Sequence, residues 1–332
     1  MATVDPQPSA AMRVTKPGPP EVMEWTEQHP EQLLPTDIVV RHEAIGLNFH
    51  DIYVRNGSYN TMPYPGVPGI EASGVVEEVG DAVVGLNVGD RIAYITSLYG
   101  AYATRRILPA ALALPLPDDI PHAIAAAVLL KGLTADMLLT RLRVLEAGAV
   151  VVVHAAAGGV GQILTQMARS LGITVIGAVG SLAKAGVVRG LGCDHVVLYG
   201  NNELLDCVRN VTDGRGADMV FDGVGATTFA TSIDCLRPFG HLALFGQASG
   251  PVPPIELALL AQRSLSISRP VVFHHAQDPE RYRGSAERVF KLVQSGVIKV
   301  APPNRYSLRE AAKAHRLLES GMTSGSTILI PG

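Results

Sequence analysis

A strand, a glycine-rich turn and a helix follow one another between residues 149 and 171, and no other stretch constrains the chain as much. Ala149–His154 is an unbroken apolar run built on four valines, leading into Ala156-Ala157-Gly158-Gly159-Val160-Gly161 and an amphipathic stretch, Val160–Leu171. A strand that is apolar on both faces belongs in a parallel sheet covered by helices on either side. The turn reads A-x-G-x-x-G, with Ala156 where the dinucleotide fingerprint usually begins with Gly. In that setting Gly158 lets backbone approach a pyrophosphate and Gly161 allows close helix–strand packing. The helix N-terminus supplies amides and the positive end of a dipole.

The alternation continues downstream. Strands are expected at Thr174–Val179, Val196–Leu198, Asp218–Asp222, Gly240–Phe245 and Leu265–Ser268, with helices near Leu182–Gly190, Asn202–Thr212 and Thr227–Leu236. This is the pattern of a doubly wound domain. Up to about residue 125 the texture differs: short β-rich runs such as Ile38-Val39-Val40 and Arg91–Ile95, broken by Gly and Pro, suggest a partly open antiparallel barrel without convincing helices. After Arg269-Pro270 a helix is expected near Ser285–Ser295, another after the capping-box start Ser307–Glu310, and a final strand at Thr327–Ile330. The doubly wound domain is complete by then, so this tail is expected to return to the barrel. The division reads 1–127 with 270–332 for the barrel, and 128–269 for the nucleotide domain.

Composition narrows the class. The 332 residues carry a net charge of −3 with no basic stripe, so nucleic acid is not an expected partner. Three widely spaced cysteines, Cys193, Cys207 and Cys235, form neither a disulfide framework nor a zinc knuckle and suit a reducing cytoplasm. Met1–Pro20 lacks an apolar core and reads as a frayed tail, not a signal peptide. The apolar runs around Ile124–Leu130 and Ala147–Ala157 fall short of the roughly 18 residues of a membrane span. Asn56-Gly57-Ser58 reads as a turn, not as a glycosylation site.

An NAD site calls for an acidic residue about 20 positions after the glycine turn, on the ribose hydroxyls. No Asp or Glu stands between Glu146 and Asp194. The second strand instead ends in Val179-Gly180-Ser181, with Lys184 one helical turn on. A hydroxyl and an ammonium in place of a carboxylate favour the 2′-phosphate of NADP(H), although Lys184 also reads as a solvated helix residue.

A barrel joined to such a nucleotide domain is similar to the medium-chain dehydrogenase/reductase superfamily. Asn48-Phe49-His50-Asp51-Ile52-Tyr53, Leu130–Thr134, His154–Gly161, Val88–Arg91, Phe245-Gly246 and Ile328–Gly332 resemble its zeta-crystallin-like branch, the NADPH-dependent quinone oxidoreductases. The resemblance implies a GroES-like barrel plus a Rossmann domain, with the nicotinamide in the cleft between them beside Asn48–Tyr53. It implies cofactor contacts from Phe49, His50, Asp51, Ile52, Tyr53, Thr134, Gly158, Gly159, Val160, Gly180, Ser181, Lys184, Tyr199, Phe245, Gly246, Gln247, Ala248 and Arg269. Relatives often carry Ser where this chain has Gly223. Zinc-dependent members carry Cys where Asn48 stands and Gly-His-Glu where Gly69-Ile70-Glu71 stands. Asn and Ile cannot replace a thiolate and an imidazole, so no metal is expected. His50 and His274-His275 read as surface or hydrogen-bonded histidines, not as ligands.

A quinone is electron-poor and its reduced oxygens are moderately acidic, so positioning beside the nicotinamide accounts for much of the expected rate. The leading expectation is NADPH:quinone reduction, with Asn48, Tyr53 and Tyr59 as candidate catalytic residues. Two alternatives stand. An NADPH-dependent 2-enal or enoyl reductase would need a proton donor, for which Tyr59 in Gly57-Ser58-Tyr59 is the candidate. A structural or RNA-associated cofactor-binding protein is the non-enzymatic alternative. Leu265–Ser268 ends the sheet, and the resemblance implies a homodimer through that edge.

Overall fold

The computed structural model describes residues 9–28, 32–200 and 203–332. In chain order, β1 (Ser9–Val14) and β2 (Met23–Gln28) precede β3 (Asp37–Leu47), α1 (Phe49–Arg55), β4 (Glu71–Val79), β5 (Arg91–Ile95), β6 (Arg105–Pro109), β7 (Leu114–Pro115) and α2 (His122–Thr140). There follow β8 (Val150–His154), α3 (Gly159–Ser170), β9 (Thr174–Val179), α4 (Leu182–Gly190), β10 (His195–Leu198), α5 (Glu203–Val211), β11 (Ala217–Asp222), α6 (Phe229–Cys235) and β12 (Leu236–Leu244). The rest comprises α7 (Ala258–Ala261), β13 (Ser266–Ser268), α8 (Val272–Ala276), α9 (Pro279–Gln294), β14 (Asn304–Ser307), α10 (Ala311–Glu319) and β15 (Thr327–Ile330). The chain divides into two compact units, 1–130 with 300–332, and 131–299.

The first unit holds a seven-stranded sheet ordered β14-β15-β3-β4-β5-β7, with β6 also paired to β3. Ile38, Val40, Ile45, Ile70, Ile92, Tyr94, Tyr102 and Leu108 fill it, each at most 1% exposed. Fully burying an aliphatic side chain contributes about 1.5–3 kcal/mol, so this core carries the unit. As expected, the C-terminal strand returns here: β15 runs antiparallel to β3, Thr327 opposite Leu47. The capping box is also present, Glu310 accepting from the Ser307 amide, although the first turn it caps is a 3₁₀ turn leading into α10. At Asn56-Gly57-Ser58 the Ser58 amide donates to Asn56 Oδ1 (2.9 Å) and Gly57 has φ +82°, which is an Asx turn.

Three expectations are corrected in the first 140 residues. The proposed tail is ordered from Ser9, where β1 pairs antiparallel with β2, while Met1–Pro8 lie outside the described residues. α1 is a helix where none was expected; at seven residues it is too short to display a period. α2 was hidden because it is apolar all round and buried, and so lacks an amphipathic signature. By length and composition α2 could cross a membrane, but 83% of that stretch is buried inside the protein, as in a core helix.

The second unit is a six-stranded, all-parallel sheet ordered β10-β9-β8-β11-β12-β13, the doubly wound order. β8 sits centrally, Val152 pairing with Ile176 of β9 on one side and Val220 of β11 on the other. Val150, Val152, Ile176, Ala178, Val220 and Leu242 join one core cluster. The helix expected from Asn202 is described from Glu203 onwards, Asn202 itself lying outside the described residues. Chain order reverses at β8, so the crevice at the C-terminal ends of β8 and β11 is the switch point where such sheets bind ligands. The second unit extends to Lys299, not 269. α9 is tied to α2: Ser285 Oγ donates to Asp136 (2.7 Å), and Arg288 donates to both carboxylate oxygens (3.0 and 2.7 Å). Its start is marked in the sequence by Asp278, which caps the amides of Glu280 and Arg281, with Pro279 in the first turn.

Candidate functional site

The glycine turn sits on the switch point. Ala155 holds φ +48° and Gly158 is the N-cap of α3, with no side chain capping that end. A 12-residue helix therefore opens towards the crevice with its first amides uncapped by side chains, an anion-receiving arrangement. Gly161 is required by close approach: a Cβ there would stand 2.4 Å from Ala155 O. Gly158, Gly159 and Val160 are half-buried, accessible to a ligand.

At the end of β9, a Cβ on Gly180 would meet nothing within 4 Å, so the space beside it is open. Ser181 is exposed and caps α4, its Oγ accepting from the Lys184 amide (3.3 Å). Desolvation lowers the Lys184 pKa below the ordinary lysine value. An anion beside it would be favoured, because it restores what burial removes.

Tyr199 follows β10 and stacks on His154, the last residue of β8, with ring centroids 5.7 Å apart and planes within 3°. Its hydroxyl accepts from the Ala155 amide (2.7 Å) and lies 3.3 Å from His154 Nδ1. Burial raises the Tyr199 phenol and lowers the His154 imidazole, keeping both neutral near pH 7. His154 Nε2 lies 3.0 Å from Ser232 Oγ, which donates to Asp222 Oδ2 (2.8 Å) at the end of β11. Sequence reasoning missed His154, Ser232 and Asp222 as site residues. His154 stood within the quoted motif, but its partners lie 45 and 78 positions away.

The turn after β12 packs on the turn after β11. A Cβ on Gly223 would stand 2.9 Å from the Phe245 ring, so Gly here makes room for that ring. Arg269 donates to Leu244 O (2.8 Å), Gly246 O (3.0 Å) and Gln247 Oε1 (3.1 Å), bracing the 244–247 turn. Ala248 is exposed, whereas Thr134 is buried on α2.

In the barrel unit Asn48 caps α1 and is held from two sides. Its amide donates to Asp51 Oδ2 (2.8 Å), and its Nδ2 donates to Glu71 Oε2 (3.0 Å), a carboxylate that also accepts from the Leu130 amide (2.7 Å). Asp51 is fully buried and Ile52 is 3% exposed, so both side chains face the unit's interior. Tyr102 donates to Asp51 (3.3 Å) and contacts His315 Nε2 (2.9 Å). Phe49, His50 and Tyr59 are half-buried around Tyr53: Phe49–Tyr53 centroids are 6.1 Å apart, Tyr53–Tyr59 4.9 Å and His50–Tyr59 5.5 Å. His50 Nε2 meets the Tyr99 hydroxyl at 3.1 Å, and burial lowers the His50 pKa to about 4. Tyr99 also contacts Thr61 and holds φ +53°, uncommon for a bulky residue.

The residues do not fit a zinc centre. Asn48 directs its carboxamide to Glu71, Ile70 is buried and apolar, and Cys193 Sγ contacts Val175 O (3.4 Å) and His195 O (3.2 Å). Among the described residues, no three His, Cys, Asp or Glu groups gather in a metal-holding cluster.

Residues 34–118 match the alcohol dehydrogenase GroES-like domain family, and residues 159–291 match the zinc-binding dehydrogenase family. The chain is 42% identical over 318 residues to a quinone oxidoreductase of Pseudomonas aeruginosa, covering 95% of this chain and 97% of that one. It is 37% identical to a 2-haloacrylate reductase of a Burkholderia species, covering 96% and 98%. The crystal structure of Escherichia coli quinone oxidoreductase complexed with NADPH superposes with a TM-score of 0.94 at 37% identity, covering 97% of this chain and 100% of that one. A doubly wound nucleotide unit, a GroES-like barrel and similarity over nearly the whole length agree: the chain belongs to the zeta-crystallin-like quinone oxidoreductase family of the medium-chain dehydrogenases/reductases.

Proposed function

We infer that the protein is an NADPH:quinone oxidoreductase working without metal. The single observation that carries this reading is the full-length similarity to quinone oxidoreductases, one of them solved with NADPH. Support comes from the uncapped α3 N-terminus at the switch point and from the end of β9, where Ser181 and Lys184 stand in place of a carboxylate. Bound NADPH would supply the reducing equivalents. The amides opening α3 would hold the pyrophosphate, with Ser181 and Lys184 on the 2′-phosphate and Tyr199 beside the ribose. From the family resemblance, Phe49 to Tyr53 would face the nicotinamide, Asp51 and Ile52 through their backbone since their side chains are turned inward. Thr134, Phe245, Gly246, Gln247, Ala248 and Arg269 would complete the cofactor contacts. The reading carries with it a cytoplasmic enzyme and a homodimer.

A second reading has one specific observation in its favour. That observation is the similarity, at 37% identity over 96% of this chain, to a 2-haloacrylate reductase; under an enal or enoyl reductase reading Tyr59, which packs against Tyr53, would be the candidate proton donor. Steady-state turnover of a simple quinone against a 2-enal, with NADPH, separates the two. Faster quinone turnover supports the first reading.

A further inference from the structure

The side chains joining the ends of β8, β10 and β11 have one consistent set of proton directions. Asp222 Oδ1 accepts from the amides of Val224 (2.8 Å) and Gly225 (3.0 Å), and Oδ2 accepts from Thr228 Oγ1 (2.7 Å) and Ser232 Oγ (2.8 Å). Ser232 has a single hydroxyl proton and gives it to Asp222, so towards His154 it can only accept. His154 Nε2–H is therefore the donor, and Nδ1 of the neutral ring is the acceptor for the Tyr199 hydroxyl. The Tyr199 oxygen in turn accepts from Ala155 N–H. A single directed chain thus runs from the backbone of the glycine turn to a buried carboxylate at the end of the neighbouring strand. Ala155 is the residue of that turn in the left-handed region, disfavoured for any residue with a Cβ, and it needs an external hold.

We propose that His154 and Ser232 are positioning residues that hold the Ala155–Gly158 turn in the conformation receiving a dinucleotide pyrophosphate. This rests on the NADPH reading above. Neither residue touches the cofactor; both act through Tyr199 and the Ala155 amide. Because the pyrophosphate is common to both nicotinamide cofactors, loss of the hold weakens NADPH and NADH alike, unlike loss of a group that reads the 2′-phosphate.

The test is nucleotide affinity by fluorescence titration on the intact protein, with melting temperature and kcat at saturating NADPH measured on the same samples. His154→Phe keeps the ring and its stack on Tyr199 but removes both nitrogens; it should weaken NADPH and NADH equally, by about tenfold. At saturation its kcat should stay within about twofold of wild type, and combining it with Tyr199→Phe should cost little more than either change alone. Ser232→Ala, a smaller lesion that keeps the proposal testable if His154→Phe folds poorly, should act in the same direction by about threefold or more. Asp218→Asn damages the opposite end of the same strands; it should lower the melting temperature and leave both affinities unchanged. NADPH bound within about twofold of wild type by both His154→Phe and Ser232→Ala would overturn the proposal. So would a loss confined to NADPH. Wild-type protein that binds no NADPH would instead overturn the reading on which the proposal rests.

Discussion

At the residue scale, cofactor choice turns on Lys184. A charge-assisted contact contributes roughly 1.5–3 kcal/mol, which corresponds to about a ten- to hundredfold preference. Lys184→Ala should weaken NADPH by about that factor and leave NADH nearly unchanged, as read by titration of each cofactor. Equal losses would show that the ammonium does not read the 2′-phosphate. Tyr59 raises the other question at this scale. Its ring packs at 4.9 Å from Tyr53 and 5.5 Å from His50, a geometry suited to a wall of the site. Removing only its hydroxyl in Tyr59→Phe should lower kcat/KM for a quinone by less than about tenfold, below the roughly 10²–10⁴-fold of general acid catalysis. A loss above about a hundredfold would make it the proton donor of an enoyl reductase.

At the element scale, legibility followed the period. β8 to β12 and the helices between them could be read because unbroken apolar strands alternate with amphipathic helices, so boundaries mostly fell within a few residues. α2 was unreadable for the opposite reason, being buried on every side. The glycine turn, Ser181 and Lys184 were visible because local sequence builds them, whereas the chain from Tyr199 to Asp222 exists only once the sheet order has brought three strand ends together. The same sheet holds an acid-sensitive joint at its other end. Asp218 receives the Val150 amide (2.9 Å), Arg215 (2.9 Å) and Arg237 (2.6 Å), tying the start of β8 to β11. Burial alone would raise this carboxyl, but the hydrogen bonds from Arg215, Val150 and Arg237 outweigh it and bring the pKa down to about 2. Its unfolded value is about 3.9, so the stabilisation is full above about pH 4 and is lost as pH falls through about 2. The contribution is roughly 1–2 kcal/mol, reduced because Arg215 faces solvent. In denaturant titrations Asp218→Asn should be less stable by about that amount at pH 7, with the gap closing by about pH 2. A gap that persists undiminished at low pH would assign the loss to packing.

At the scale of the whole molecule, β13 is the last strand of the parallel sheet, paired on one side to β12, and exposed Leu257 and half-exposed Ile255 lie just before it in the chain. An open strand edge suits an isologous pairing of two copies. Light scattering should give twice the 35.0 kDa chain mass. Ile267 stands in the middle of β13, and Ile267→Pro, which breaks the regularity of that strand, should shift the protein to the single-chain mass. A wild-type protein already at the single-chain mass would remove the homodimer from the account. Quinone reduction without a placed proton donor is read out by steady-state kinetics. With NADPH at saturation, kcat/KM for a simple quinone should exceed that for a 2-enal of similar size by about tenfold or more, since a quinone needs no placed proton donor. Turnover of the enal faster than the quinone would overturn quinone reduction as the activity and make the protein a C=C reductase.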